Sequence, residues 1–125
     1  YHNHHQEFAR IGGRYAQDIL RNETDSQAVQ FEIDLGWVRK GGEEPISYWL
    51  TYSGRVPQIH LRDYDTEKDQ VCDVGDGFID LEEIASLAAE SYTHWLIYEQ
   101  DAYPDSSMAS ARACADRCRA AGLIA

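Results

Sequence analysis

An alternating run of side chains in the first third of the chain constrains the fold more than any other feature. Apolar and polar residues take turns over nine positions, from Val29 to Trp37. A period of two is typical of a β-strand with one face buried and one face polar. The pattern predicts a strand over residues 29–37.

A second alternating run follows, with apolar side chains at every second position of residues 46–52, and a third run passes through Val56, Ile59 and Leu61. Ser53 and Gly54 lie between them and suit a two-residue hairpin turn. Pairing across that turn sets Tyr48 opposite Ile59, which gathers apolar side chains on one face. These runs predict an antiparallel sheet of three strands.

Helical spacing predicts three helices around this sheet. Phe8, Ile11, Tyr15 and Ile19 form one stripe over residues 5–22, a second stripe runs from Leu81 to Trp95 and on towards Tyr98, and a third helix follows Pro104. The order predicts a single α+β domain over residues 1–125, in which a helix precedes the sheet and two C-terminal helices pack on one sheet face. Residues 1–5 are rich in histidine and are compatible with disorder or a vector origin.

Composition narrows the setting of the protein. No apolar run reaches the roughly 18 residues of a membrane span, and no export signal opens the sequence. Three cysteines (Cys72, Cys114 and Cys118) cannot all pair within one chain. We therefore expect a soluble cytoplasmic protein that does not act at a membrane.

Negative charge is concentrated in one third of the chain. Residues 63–105 contain thirteen acidic residues and one base, whereas the remaining residues sum to +1 in a chain of net charge −11. Such a field repels nucleic acid and attracts a basic protein surface or a cation. Direct nucleic-acid binding is therefore not expected.

The main functional hypothesis from these observations is a non-catalytic, acidic protein-binding module. Small inhibitors of this composition include anti-CRISPR, anti-restriction and toxin-immunity proteins, which mimic nucleic acid on a basic surface of a partner. The expected partner is a nucleic-acid-binding enzyme, and the oligomeric state stays open. The residues assigned to docking are Asp63, Tyr64, Asp65, Glu67, Asp69, Asp73, Asp76 and Trp49.

A second hypothesis comes from residues 75–84, which resemble the second half of an EF-hand calcium loop. The resemblance implies that Asp76, Asp80 and Glu83 are calcium ligands, with Gly77 at the sharp turn. The same residues also suit a glycine turn that leads into a capped helix, with Asp80 and Glu83 forming a capping box. Apart from calcium under this alternative, no cofactor is expected.

A third hypothesis is a small enzyme that uses the polar face of the predicted sheet. That face gathers Trp49, His60, Glu32, Asp34 and Arg62. No hydrolase, phosphate-loop or zinc-protease motif supports catalysis, so the sequence predicts a protein that is not an enzyme.

Overall fold

The computed structural model describes residues 1–52 and 54–124. A short 3-10 helix spans His5–Phe8. The other elements, in chain order, are β1 (Arg10–Ile11), β2 (Arg14–Tyr15), α1 (Ala16–Glu23), β3 (Glu32–Asp34), α2 (Leu35–Lys40), α3 (Pro45–Thr51), β4 (Gln58–Leu61), β5 (Asp63–Asp65), β6 (Gln70–Cys72), α4 (Leu81–Glu90), β7 (Trp95–Tyr98) and α5 (Ser107–Ala120).

The main sheet is parallel and follows the order of the chain. β4 lies between β3 and β7, and both neighbours run in the same direction as β4. The start of the chain extends this order, because His2 forms a parallel bridge with Glu32 and the Glu32 amide donates to the Tyr1 carbonyl over 2.8 Å. The sheet therefore has its strands in sequence order, each followed by helical segments.

This arrangement is the repeating unit of a (β/α) barrel, in which functional side chains come from the carboxyl ends of the strands. In the described chain, α2 and α3 connect β3 to β4, and α4 precedes β7. Parallel strands covered by helices are buried and require apolar side chains. Ile33 and Ile59, paired in register, have no exposed surface.

The hydrophobic core lies between this sheet and its helices. Residues of α3, β3, β4 and α4 contribute to it together with residues of the connecting segments and of α5. Its buried members are Phe8, Phe31, Ile33, Leu35, Val38, Tyr48, Trp49, Tyr52, Val56, Ile59, Leu61, Val74, Ile79, Ile84, Cys114 and Cys118.

The predicted antiparallel sheet is wrong, because residues 45–51 form a helix. Pro45 occupies the first turn of α3, and the Glu44 carboxylate accepts a hydrogen bond from the Ser47 amide. Tyr48, Trp49 and Tyr52 are buried at helical spacing, a signal that competes with the alternation of residues 46–52. Ser53, in the predicted hairpin turn, lies outside the described residues.

Other predicted elements differ in extent. The strand predicted over residues 29–37 ends at Asp34, and α2 begins at Leu35. The start of the acidic segment forms the β5–β6 hairpin. The first predicted helix is divided by a β-hairpin, in which Gly12 and Gly13 both have positive φ. Helices do occur at Leu81–Glu90 and Ser107–Ala120, but Trp95 and Tyr98 belong to β7 rather than to α4.

None of the helices in the described part of the chain is both long enough and apolar enough to cross a membrane.

A buried carboxylate anchors the loop that follows β6. The two oxygens of Asp63, which is fully buried, accept hydrogen bonds from five backbone amides at 2.8–3.2 Å. The donors are Tyr64, Gly75, Gly77, Phe78 and Ile79. This one side chain satisfies backbone donors of residues 75–79 that would otherwise lack partners.

We expect Asp63→Asn to lower the free energy of unfolding by about 2–4 kcal/mol, because an amide nitrogen would replace one accepting oxygen and face backbone donors. Urea unfolding monitored by circular dichroism measures the change. The matched control is Glu67→Gln, at an exposed position of the same acidic segment. Equal stability of the two variants would contradict this role of Asp63.

Candidate functional site

Four side chains meet at the carboxyl end of the parallel sheet. Asp34 is the last residue of β3, His60 lies on β4, Glu99 directly follows β7, and His2 comes from the segment beside β3. One nitrogen or oxygen atom from each lies within 4.8 Å of the others. Strand register produces this meeting, since Asp34 pairs with His60 across β3 and β4.

Asp34 is held by both of its oxygens. Oδ1 caps α2 by accepting the Trp37 amide over 2.9 Å, which leaves Oδ2 for the site. Oδ2 lies 2.8 Å from Nε of Arg62, 3.4 Å from Nδ1 of His60 and 3.5 Å from Nε2 of His2. The capping bond therefore fixes the direction in which the second oxygen points.

Arg62 connects the ends of the three strands. Its guanidinium, which is buried, reaches Asp34, Glu99 at 2.7 Å and Asp101 at 2.9 Å. It also lies over the Trp37 ring, 4.6 Å from the centroid. Gly36 makes room for the Arg62 side chain, because a Cβ at that position would come within 2.7 Å of the Arg62 Cγ atom.

Charge pairing dominates the protonation of the cluster. Burial alone would raise the pKa of Asp34, but the hydrogen bond from Arg62 and the nearby imidazoles of His2 and His60 hold that pKa well below its usual range. Burial alone would lower the pKa of His60. The Asp34 carboxylate, 3.4 Å from Nδ1, and the charges of Glu32 and Glu99 outweigh burial and raise that pKa. Asp34 therefore stays ionised, and His60 keeps a proton to higher pH than a free imidazole does.

Two imidazole nitrogens in the site lack a hydrogen-bond partner among the described residues. They are Nε2 of His2 and Nδ1 of His60, and both are buried. The latter lies 2.5 Å from Oε2 of Glu99 without hydrogen-bond alignment. A bare nitrogen lone pair that faces carboxylates is repelled by them unless a proton or a metal ion lies between.

The donor set fits a divalent transition metal. Imidazole nitrogens and carboxylate oxygens are ligands for Mn²⁺, Fe²⁺, Co²⁺ and Zn²⁺, whereas Ca²⁺ takes oxygen ligands. His2, Asp34, His60 and Glu99 supply two of each kind. The residues present therefore fit such an ion.

The polar face predicted from sequence is largely brought together. Glu32, Asp34, His60 and Arg62 lie in or beside the cluster, with Oε1 of Glu32 2.9 Å from Nε2 of His60. Trp49 does not join them. It is buried in the core, and its indole nitrogen donates to the Thr93 hydroxyl over 3.0 Å.

The predicted docking residues are mostly engaged within the chain. Asp63 and Tyr64 are buried like Trp49, and Glu67 is exposed. The other carboxylates contact the protein itself: Asp65 pairs with Lys68, Asp69 accepts from the Tyr64 hydroxyl, Asp73 accepts from Gln100, and Asp76 pairs with Arg117.

The residues of the EF-hand resemblance have local roles in the structure. Asp76 lies 2.8 Å from Arg117, Asp80 accepts the amides of Glu82 and Glu83 as the cap of α4, and Glu83 is exposed. In the described part of the chain, the side chains close enough to share an ion are His2, Asp34, His60 and Glu99. Asp76, Asp80 and Glu83 are not among them.

Two members of the cluster, His2 and Glu99, were not predicted from the sequence. His2 lies in residues 1–5, whose histidine-rich sequence was compatible with disorder or a vector origin and was therefore given no functional role. Glu99 follows the short apolar run Trp95–Tyr98, a pattern that fits a buried parallel strand as well as a helix. Reading that run as a strand would have placed Glu99 at a carboxyl end, next to those of β3 and β4.

Comparison with known proteins points to enzymes that act on small molecules. Inosose dehydratase of Bacillus thuringiensis is 27% identical over 106 residues, covering 68% of this chain and 35% of that protein. Inosose dehydratase of Clostridium botulinum is 30% identical over 105 residues, covering 70% of this chain and 35% of that protein. The chain spans about a third of the length of these relatives. No family model matches it.

A solved structure shares the fold. The crystal structure of a sugar phosphate isomerase/epimerase from Parabacteroides distasonis superposes with a TM-score of 0.78 at 25% identity. The match covers 94% of this chain and 43% of that protein. A second sugar phosphate isomerase/epimerase structure from the same organism gives a TM-score of 0.76 at 24% identity.

These findings correct the functional prediction. The hypothesis of a non-catalytic inhibitor, nucleic-acid mimic or immunity protein is wrong, because the relatives and the solved structure are named as enzymes of small-molecule metabolism. The prediction that the chain is not an enzyme is wrong for the same reason. The third hypothesis, an enzyme using the face that carries His60, agrees better with the comparisons.

We expect Arg62→Gln to lower the free energy of unfolding by about 3–5 kcal/mol, because removing one partner of a buried ion pair leaves Asp34 poorly compensated. Chemical unfolding of the purified protein measures the change. The control is Arg119→Gln, whose ion pair with Asp116 is exposed and should contribute less than about 1 kcal/mol. A loss no larger than that of the control would show that Arg62 does not hold the cluster together.

Proposed function

We propose that this chain forms part of the active site of a metal-dependent enzyme that acts on a sugar or a related polyhydroxylated carbonyl compound. The observation that carries the proposal is the meeting of His2, Asp34, His60 and Glu99 at the carboxyl ends of sequential parallel strands. In barrels of this kind, catalytic residues come from the ends of several strands.

The comparisons support the substrate class. The relatives are named for inosose dehydration and the solved structures for sugar phosphate isomerisation or epimerisation. Both names describe polyhydroxylated substrates, and the three reactions (dehydration, isomerisation and epimerisation) can each begin with removal of a proton from the carbon next to a carbonyl group. We therefore infer a reaction of this class.

The ligands we assign to the ion are Asp34, His60, Glu99 and His2. From the sequence we expected no cofactor, apart from calcium under the EF-hand alternative, and we propose this ion in its place. A divalent ion bound there would polarise an oxygen of the substrate as a Lewis acid.

Neighbouring residues hold the proposed ligands in position before an ion binds. Arg62 holds the carboxylates of Asp34 and Glu99 in position through charge-assisted hydrogen bonds, so little reorganisation is needed when an ion binds. Asp34 is also held by the hydrogen bond that its Oδ1 accepts from the Trp37 amide at the start of α2. Because the buried Arg62 lies within 2.8 Å of Asp34 and 2.7 Å of Glu99, its positive charge also reduces the repulsion between the two carboxylates.

Titration with Mn²⁺ by calorimetry tests the metal site on this chain. We expect one ion to bind the wild type, and His60→Gln to weaken binding by at least about tenfold, since one ligand is lost. The control His94→Gln alters an exposed histidine outside the cluster and should bind as the wild type does. Absence of binding, or equal loss in both variants, would contradict the assignment.

Solvent exchange tests the reaction. The complete protein is incubated with Mn²⁺ and either an inosose or D-fructose in D₂O, and mass spectrometry follows deuterium uptake. We expect one deuterium at the carbon next to the carbonyl, with a rate lowered at least about a hundredfold in Asp34→Asn. An unchanged rate in that variant would rule out the cluster as the reacting site, and absence of exchange with the wild type would argue against the reaction class.

A further inference from the structure

The second ring nitrogen of His60 has a partner that lies outside the proposed ion site. Nε2 is 2.9 Å from Oε1 of Glu32, whereas Nδ1, on the other side of the ring, faces Asp34 and Glu99. Glu32 does not belong to the group of side chains close enough to share an ion. Glu32 therefore contacts the His60 ring on the side away from the proposed ion.

Glu32 is itself held in place from two directions. Its carboxylate accepts a hydrogen bond from Nε2 of Gln58 over 2.9 Å, and Gln58 is its register partner on β4. Its backbone pairs with the segment that carries His2. The Glu32 side chain is 19% exposed. Within the described chain, its salt-bridge contact is with His60.

We propose that Glu32 is a positioning residue, which accepts the Nε2–H of His60 and thereby presents the unprotonated Nδ1 to the ion. This inference rests on the proposed function, because it assigns Nδ1 as the ligand atom. A neutral imidazole has one N–H donor and one lone-pair acceptor, so the nitrogen that donates decides which nitrogen is free to bind.

The strand geometry explains why a carboxylate occurs at this position. Residues two apart on a strand point to the same face, so Glu32 and Asp34 both face the site side of β3. Asp34 pairs with His60 in register, and Glu32 reaches the same ring from one pleat earlier. Carboxylates that bind the outer nitrogen of a metal-ligating histidine fix its tautomer and increase its basicity, and their loss typically costs 10–100-fold in metal affinity.

Nitrogen-15 NMR of the histidine rings tests the tautomer directly. Zn²⁺ serves as the probe because it is diamagnetic. In the Zn²⁺-loaded wild type we expect the His60 proton on Nε2 and the metal on Nδ1. In the metal-free protein, above the pH at which His60 loses its charge, we expect the same Nε2–H form. Coordination of Zn²⁺ through Nε2 would overturn the proposal.

Variants at residue 32 test the energetic role. We expect Zn²⁺ affinity to fall about 10–100-fold in Glu32→Ala and less in Glu32→Gln, because the glutamine oxygen still accepts the Nε2–H. Glu67→Ala, which removes an exposed carboxylate elsewhere, is the control and should leave affinity unchanged. Glu32→Gln preserves side-chain volume and keeps the test valid if Glu32→Ala does not fold.

The outcomes separate this inference from the proposed function. If the wild type binds no Zn²⁺ or Mn²⁺, the metal site fails, and the tautomer of the metal-free protein still decides whether Glu32 orients His60. If the wild type binds Zn²⁺ and both residue-32 variants retain its affinity and its His60 tautomer, the metal site stands and the role of Glu32 is refuted.

Discussion

The ion pair between Arg62 and Asp34 is the interaction on which the site depends. Both side chains are buried, and charges taken out of water are tolerated only when they are paired and hydrogen-bonded. Arg62 meets this requirement for the ends of β3 and β7 together, since it also reaches Glu99 and Asp101. The sheet can therefore hold several carboxylates at one edge without their repulsion separating the strands.

β4 and the two residues that follow it combine the demands of folding and of function in five consecutive positions, residues 59–63. Ile59 and Leu61 are buried in the core, whereas His60 and Arg62 carry the site at the carboxyl end, and Asp63 anchors the loop around residues 75–79. Side chains that pack in the core therefore alternate along the strand with side chains that form the site. A shift of register by one residue would exchange the two sets.

In the structure, many carboxylates of the acidic segment contact groups within the chain. Concentration of charge in residues 63–105 favoured an external basic partner, yet many of those carboxylates cap helices, accept backbone amides or pair with internal bases. Glu99 and Asp101 meet the buried Arg62. Net charge counts residues and carries no information on whether a carboxylate is satisfied inside the fold.

The sequence by itself determined the strand at residues 58–61, the two C-terminal helices and the common face of Glu32, Asp34, His60 and Arg62, because these follow from local spacing and from the pleat. Tertiary structure decided the direction of the strands, the helix at residues 45–51 and the arrival of His2 and Glu99. Parallel pairing joins residues about 25–40 positions apart, and its free energy comes from burial between sheet and helices. A local pattern does not record that contribution, so the site was complete only in the folded chain.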